Sequence, residues 1–383
     1  MNRSAAFWRM AISVVLVAAS SPTSAGGMRG DDGRAIRGIT IGPIENAYHP
    51  SVGYGSDAFS RTLEESHAMG ATWISLTPFG RVFDLNGTGV DPTFEAPFET
   101  NRANVLRAVH MAHAKGLRVM LVPHLWTESQ EWRALIDPKT EAGWDRWIRS
   151  YSDYVLEWAK VAERASVDLL ACGVELRTWV TGTHAVAFAE LIRRVRRIYH
   201  GAVTYSANWD DAETTVILSE LDVIGINAFY PLADKDGASF ETLLAGGKRV
   251  AERVRVLSAM WNKPVLFTEI GYTARANTAI TPWDWPEKST NVVANAQAQA
   301  QAYRALISPL LEEPWFAGFF VWRTYSDPDD VSQEPEWGYS PRGRSAELVM
   351  RDAFSSRWQS DAIWQPGWVP RARVPGLYSG LSR

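Results

Sequence analysis

Eight short apolar runs, each set off from the next by a longer stretch, recur along this chain and leave few architectures open. The runs lie at 36–42, 72–77, 117–123, 168–174, 202–206, 222–227, 264–268 and 316–322. Several are continuously apolar, as parallel strands buried on both faces must be. Helical stretches are predicted between them at 58–69, 101–115, 141–164, 184–200, 240–261 and 291–311, with a short helix at 211–219. Lys115-Gly116 and His200-Gly201 read as helix stops, glycine being free to take a positive φ. Strand and helix in alternation indicate an α/β fold, a (β/α)8 TIM barrel forming a single catalytic domain over 36–353. The alternative is an open doubly wound sheet, which ordinarily carries a Gly-rich phosphate turn after its first strand. Here Ile41-Gly42-Pro43 follows the first run, and no GxGxxG is present.

The two ends read differently from the middle. Arg3 and Arg9, the apolar segment 10–19 and Thr23-Ser24-Ala25 have the layout of a signal peptide over 1–25, with a secreted or periplasmic product. An uncleaved anchor is the alternative, although the apolar segment is short for a spanning helix. Cys172 is the single cysteine, which excludes an internal disulfide and a lipoprotein cysteine after the signal. The formal charge is −4, and loss of the two leader arginines takes it to −6. With no basic block, nucleic acid is not an expected partner, and no stable membrane insertion is expected once the signal is removed. Nothing in the sequence sets an oligomeric state. The tail, 354–383, is rich in tryptophan and proline without periodicity, and is expected to pack on the barrel or to be partly disordered.

Two glutamates carry the chemistry. Glu175 in LLACGVELRTW ends the fourth run and Glu269 in PVLFTEIGYTA ends the seventh. Carboxylates at the C-terminal ends of barrel strands point into the mouth where such barrels do their chemistry. A lone glutamate there could equally form an ion pair with an arginine such as Arg177. Two facing each other can break a glycosidic bond. The surroundings suit a sugar. His124 and Trp126 end the third run, Asn208 and Trp209 the fifth; Asn227 lies in the sixth, Tyr230 just after it, and Trp322 ends the eighth. Trp283 and Trp285 sit in the loop after the seventh. Of 18 tryptophans, about half are expected in the core and the rest are candidates for stacking on sugar faces.

In their order, GATWISLTPFG, GLRVMLVPHLW, ACGVELRTW, YSANWD, DVIGINAFYPL, PVLFTEIGYTA and GFFVWRTYSD resemble the clan A glycoside hydrolases. Within that clan the chain is most similar to family 113, β-mannanases and relatives, over about 36–353. The resemblance implies Glu175 as acid/base, Glu269 as nucleophile, Tyr230 hydrogen-bonded to the nucleophile to keep it ionised, and Trp322 as floor beneath the cleaved sugar. It departs at Val174, where most clan members have an asparagine that binds the sugar 2-hydroxyl; Gly173–Leu176 fits a looser Gly-x-Glu-Leu form. The implied reaction is retaining hydrolysis of a β-linked, mannan-like carbohydrate substrate by double displacement. A transglycosylase using the same carboxylates, or a non-catalytic carbohydrate-binding barrel, remains the alternative. No cofactor and no metal are expected. His110 and His113 lack a second ligand cluster, Asp327, Asp329 and Asp330 read as a solvated rim, Arg193, Arg194, Arg196 and Arg197 as a charged outer helix face, and the GxSxG elbow of serine hydrolases is missing.

Overall fold

The computed structural model describes residues 35–43, 52–286, 291–330, 332 and 334–362; the leader and the last part of the tail lie outside the described residues. The strands are β1 (Ile36–Gly42), β2 (Trp73–Leu76), β3 (Phe79–Val82), β4 (Arg118–Leu121), β5 (His124–Thr127), β6 (Leu169–Val174), β7 (Ala202–Asn208), β8 (Ile224–Asn227), β9 (Val265–Ile270) and β10 (Phe316–Tyr325). The helices are α1 (Asp57–Met69), α2 (Phe98–Ala114), α3 (Glu141–Ala165), α4 (Arg177–Val180), α5 (Ala185–Arg196), α6 (Phe240–Trp261), α7 (Ala296–Leu310) and α8 (Ser345–Ser355). Eight strands pair in parallel in the order β1-β2-β4-β6-β7-β8-β9-β10, and β10 closes on β1 with Ile36 opposite Gly318 and Gly42 opposite Tyr325. Closure excludes the open doubly wound sheet.

Side chains on alternate strand positions fill the barrel: Ile36, Trp73, Met120, Leu169, Leu266 and Phe320 form its inner cluster. Phe320 fits because Gly38 faces it on β1; a Cβ there would lie 2.2 Å from the Phe320 ring. The larger outer cluster, between strands and helices, absorbs Trp147, Trp158, Trp179 and Trp358, all fully buried. Helix starts follow local chemistry: Ser56, Thr140 and Ser239 each cap a backbone N–H of α1, α3 or α6.

Two features differ from the sequence-based expectation, and a third adds a helix to it. First, β3 and β5 form a separate two-stranded parallel sheet. They continue β2 and β4 beyond Pro78 and Pro123, and the register is unbroken: Trp73 pairs with Arg118, Leu76 with Leu121, Phe79 with His124. The two prolines are thus directly opposite one another, and each lacks the N–H that would carry the ladder through. Second, the short helix at 211–219 is instead two 3-10 turns, Ala212–Thr214 and Val216–Glu220. The Thr214 and Thr215 hydroxyls both donate to the Asp211 carbonyl, so side chains compete with helical bonding there. Third, α8 and a 3-10 turn, Gln359–Ala362, cover the chain's return to the barrel wall. Trp358 stacks on Phe316 and Phe319, and Arg37 of β1 donates to the Phe354 and Ser356 carbonyls. The first residues of the tail therefore pack on the starts of β1 and β10.

Candidate active site

Two irregular strands aim the glutamates. Along β6, Ala171 pairs with Thr204 but Val174 pairs with Ser206, so β6 carries one residue more than its neighbour. Cys172 belongs to the outer cluster. A Cβ on Gly173 would lie 2.7 Å from the Tyr151 hydroxyl and 2.9 Å from Phe188, so this position also faces outward and only glycine fits it. Val174 then returns to the inner cluster. Glu175 follows in the left-handed region, φ 50°, a conformation costing a non-glycine residue about 1 kcal/mol or more. Its N–H donates to the Ser206 carbonyl at 2.9 Å, and the next N–H, of Leu176, donates to the Tyr205 hydroxyl at 2.6 Å.

Strand β9 repeats the device. Ile226 pairs with Phe267 and the next residue, Asn227, with Glu269; on the other side Phe319 pairs with Phe267 and Val321 with Ile270. Both registers place one extra residue at Thr268–Glu269. Bulges of this kind re-aim a side chain at a barrel rim. Leu266 points inward and Phe267 outward; beyond the bulge, Thr268 and Glu269 both serve the mouth.

The two carboxyl groups meet around Asn227. The Thr268 hydroxyl donates to Asn227 Oδ1 at 2.9 Å, which turns the amide nitrogen toward the glutamates. Asn227 Nδ2 donates to Glu175 Oε1 at 3.0 Å, and Asn227 is the ladder partner of Glu269 across β8 and β9. The other Glu175 oxygen, Oε2, accepts from Arg133 Nη1 at 2.7 Å and from Trp132 Nε1 at 3.0 Å. Both glutamates are 7% exposed. Burial pushes the Glu269 carboxyl well above the usual carboxylate range, and the negative charge of Glu175 adds to the effect; Arg133, Arg323 and the nearby Asn227 amide work against it.

His124 comes to the same place: its Nε2 is 3.6 Å from Glu269 Oε1, beyond hydrogen-bond reach. Burial, aided by Arg133 and Arg323, holds the imidazole well below its usual pKa, so it is neutral. Its ring lies against Phe79 and 6.2 Å from that of Trp322. Trp322 is half-buried at the rim, with the Arg323 guanidinium 4.8 Å from its ring and a cis peptide bond joining the two residues.

The remaining expected residues divide. Trp126, on β5, stacks 6.3 Å from Phe94. Trp209 stacks on the half-exposed Trp283 at 5.2 Å, 21° from parallel, and Trp285 stacks on Tyr339 at 5.5 Å. Asn208 spends its amide on Asp210 Oδ1, 2.6 Å away. Tyr230 is not where the resemblance implies. Its ring packs edge-on to Trp209 and against Phe267 of the outer cluster, with Arg253 over it, and its buried hydroxyl has no hydrogen-bond partner among the described residues. Phe267 faces away from the mouth, and a phenol packed beside it is carried away from Glu269. Arg177 pairs with Asp210 and Asp211 and not with Glu175; the partner is Arg133, which the sequence reading missed along with Trp132, Thr268 and Arg323. Arg323 at least follows the singled-out Trp322; Trp132 and Arg133 sit at the start of a short 3-10 turn, Arg133–Leu135, with no sequence period to place them.

Other features lie apart from this centre. A cavity of about 460 Å³ between α1, α8 and the loop after β10 is lined by Glu65, Glu334, Arg342, Arg344, Glu347 and Arg351. These charges pair among themselves, Arg342 with Glu65, Arg344 with Glu334 and Arg351 with Glu347. His113 bonds Asp168 at 2.9 Å, and Asp327 and Asp329 pair with Arg61. Among the described residues no group of three or more His, Cys, Asp or Glu could hold a metal ion, and no helix is long and apolar enough to cross a membrane.

Known proteins share this fold. Residues 49–336 match the sequence profile of Glycoside Hydrolase Family 113. A family 113 β-mannanase from Alicyclobacillus acidocaldarius, solved in complex with ManMIm, is 25% identical; the match covers 84% of this chain and 97% of that one, with a TM-score of 0.72. A complex of a family 113 β-1,4-mannanase is 23% identical over 85% of this chain and all of its own, also at 0.72. A family 5 mannosidase from Rhizomucor miehei shares the fold at 11% identity and a TM-score of 0.59, covering 86% of this chain and 94% of that one. No curated protein sequence matches the chain significantly. With the family profile matched over most of its length and a closed barrel presenting two glutamates at one mouth, the chain belongs to glycoside hydrolase family 113 and is a glycosidase.

Proposed function

We propose that this glycosidase hydrolyses a β-linked mannan-type chain with retention of configuration, Glu269 attacking the anomeric carbon and Glu175 serving as acid and then base. The observation that carries the reading is that Asn227, bonded to Glu175, is also the ladder partner of Glu269, so that both buried carboxyl groups open onto one mouth close enough to interact electrostatically. Direct attack needs the two carboxyl groups about 5–5.5 Å apart, which a common neighbour in Asn227 suits. In the first step the Glu269 oxygen bonds to C1, the C1–O bond to the leaving sugar breaks, and the Glu175 proton goes to the departing oxygen. In the second, water bonds to C1, its proton goes to Glu175, and the ester to Glu269 breaks. Glu269 must be ionised to begin.

Trp322 is assigned to the floor of the cleaved sugar's site, and His124 and Trp126 to the same mouth. Trp283, stacked on Trp209 at the surface, is assigned to an outer sugar, with Asn208 behind it. Export through the 1–25 leader places the enzyme where polymeric substrate is met. The mannan assignment follows the β-mannanase relatives. The test is release of reducing ends from mannan, glucomannan, cellulose, xylan, galactan and bacterial exopolysaccharide. Mannan or glucomannan is expected to be cut fastest; cleavage confined to a polymer without mannose would overturn the assignment. Loss of cleavage in Glu269→Gln, with an intact fold, is the accompanying control.

A further inference from the structure

We propose that Arg133, with Trp132, is a positioning residue that holds Glu175 in its carboxylate form and so favours the second, base-catalysed half of the reaction. The inference rests on the retaining reading above. All three groups bonded to Glu175 are donors: Arg133 Nη1 and Trp132 Nε1 on Oε2, Asn227 Nδ2 on Oε1. Arginine and indole have no acceptor at these atoms, and the Asn227 oxygen is taken by Thr268. None of the three can therefore accept a proton from Glu175. Each stabilises the carboxylate, and the charged Arg133 does so most strongly. Arg133 is itself held, because its Nε donates to the Leu125 carbonyl of β5 at 3.0 Å. Trp132 is held by Arg177, whose guanidinium lies 4.6 Å from the indole ring and is anchored to Asp211.

The chemistry that follows is specific. When the leaving oxygen takes the Glu175 proton, the carboxylate left behind is received by a cation and an indole N–H already in place. That carboxylate is the base that takes a proton from water in the second step. The same contact opposes protonation before the first step. Other ionisable groups facing Glu175 act on this balance. Glu269 of β9, and Asp211 and Tyr205 of β7 and its following turn, are close enough to interact with it electrostatically. His124 and Arg323 face Glu269 instead.

The experiment compares wild type with Arg133→Met, Arg133→Lys and Trp132→Phe. On a substrate with a poor leaving group, the alkaline limb of kcat/KM is expected to move up by about one pH unit in Arg133→Met, as loss of one charge-assisted bond implies. It should move less in Trp132→Phe and return toward wild type in Arg133→Lys. On an activated aryl glycoside, where the second step limits, kcat is expected to fall about tenfold in Arg133→Met with KM falling in parallel. A limb unmoved in both Arg133→Met and Trp132→Phe, with rates reduced equally at every pH, would show a structural role only and overturn the proposal. A second readout needs no substrate. The 13C carboxyl titration of Glu175, assigned through Glu175→Gln, is expected to shift to higher pH in Arg133→Met. An unchanged titration overturns the clamp, whereas a shift in a protein that cleaves no glycoside leaves the clamp standing and removes the hydrolase reading.

Discussion

A carboxyl group buried beside another carboxylate trades stability for reactivity, and Glu269 is where this chain does so. The folded protein holds the Glu269 proton more tightly than the unfolded chain, because burial and Glu175 both raise its pKa above the ordinary 4.5. Raising the pH from there upward therefore favours unfolding; below about pH 4 both states are protonated and the effect vanishes. Glu269→Gln removes the second negative charge and gives Glu175 an N–H partner. Its Tm is expected to exceed that of wild type at about pH 7.5 and to match it at about pH 4. Equal melting curves at both pH values would contradict the buried-pair account.

Among the elements, the eight barrel strands were legible because each is a nearly unbroken apolar run, the pattern that burial on both faces demands. Glu175 and Glu269 were legible for the same reason, as charges where such a run stops. The bulges that aim them were not, since an extra residue in β6 or β9 exists only relative to the neighbouring strand. The sheet of β3 and β5 was hidden by Pro78 and Pro123, which read as strand ends although the register passes through them. Arg133 and Trp132 lie at a short 3-10 turn with no period to place them, and Tyr230 was assigned by analogy to a position whose side chain turns to the outer cluster. Three substitutions test the elements. Trp322→Ala, on β10, is expected to lower kcat/KM more than tenfold on substrates of every length, because stacking beneath the distorted sugar acts in the transition state. Trp283→Ala should cost only about fivefold, and only on longer chains, as the loss of one exposed stacking contact implies. Equal harm to short and long substrates would remove Trp283 from an outer site. Trp358→Ala, which vacates the space between Arg37, Phe316 and Phe319, is expected to lower unfolding stability by about 3 kcal/mol without changing KM. A urea midpoint equal to wild type would show that the tail does not brace the barrel.

For the whole molecule, the barrel wall supplies rigidity and one mouth supplies the chemistry: the strands carry the glutamates, β5 and its loop bring His124, Trp132 and Arg133, and β10 brings Trp322. The outer cluster and the C-terminal helix hold this frame from the opposite side. The central claim is that Glu269 attacks the sugar directly while Glu175 first gives and then takes a proton. Proton NMR of the first sugar released from a β-1,4-linked manno-oligosaccharide tests it most directly, read before mutarotation scrambles the anomers. Attack by Glu269 requires that the β-anomer appear first and the α-anomer grow in later; an α-anomer formed first would show inversion and rule out direct attack.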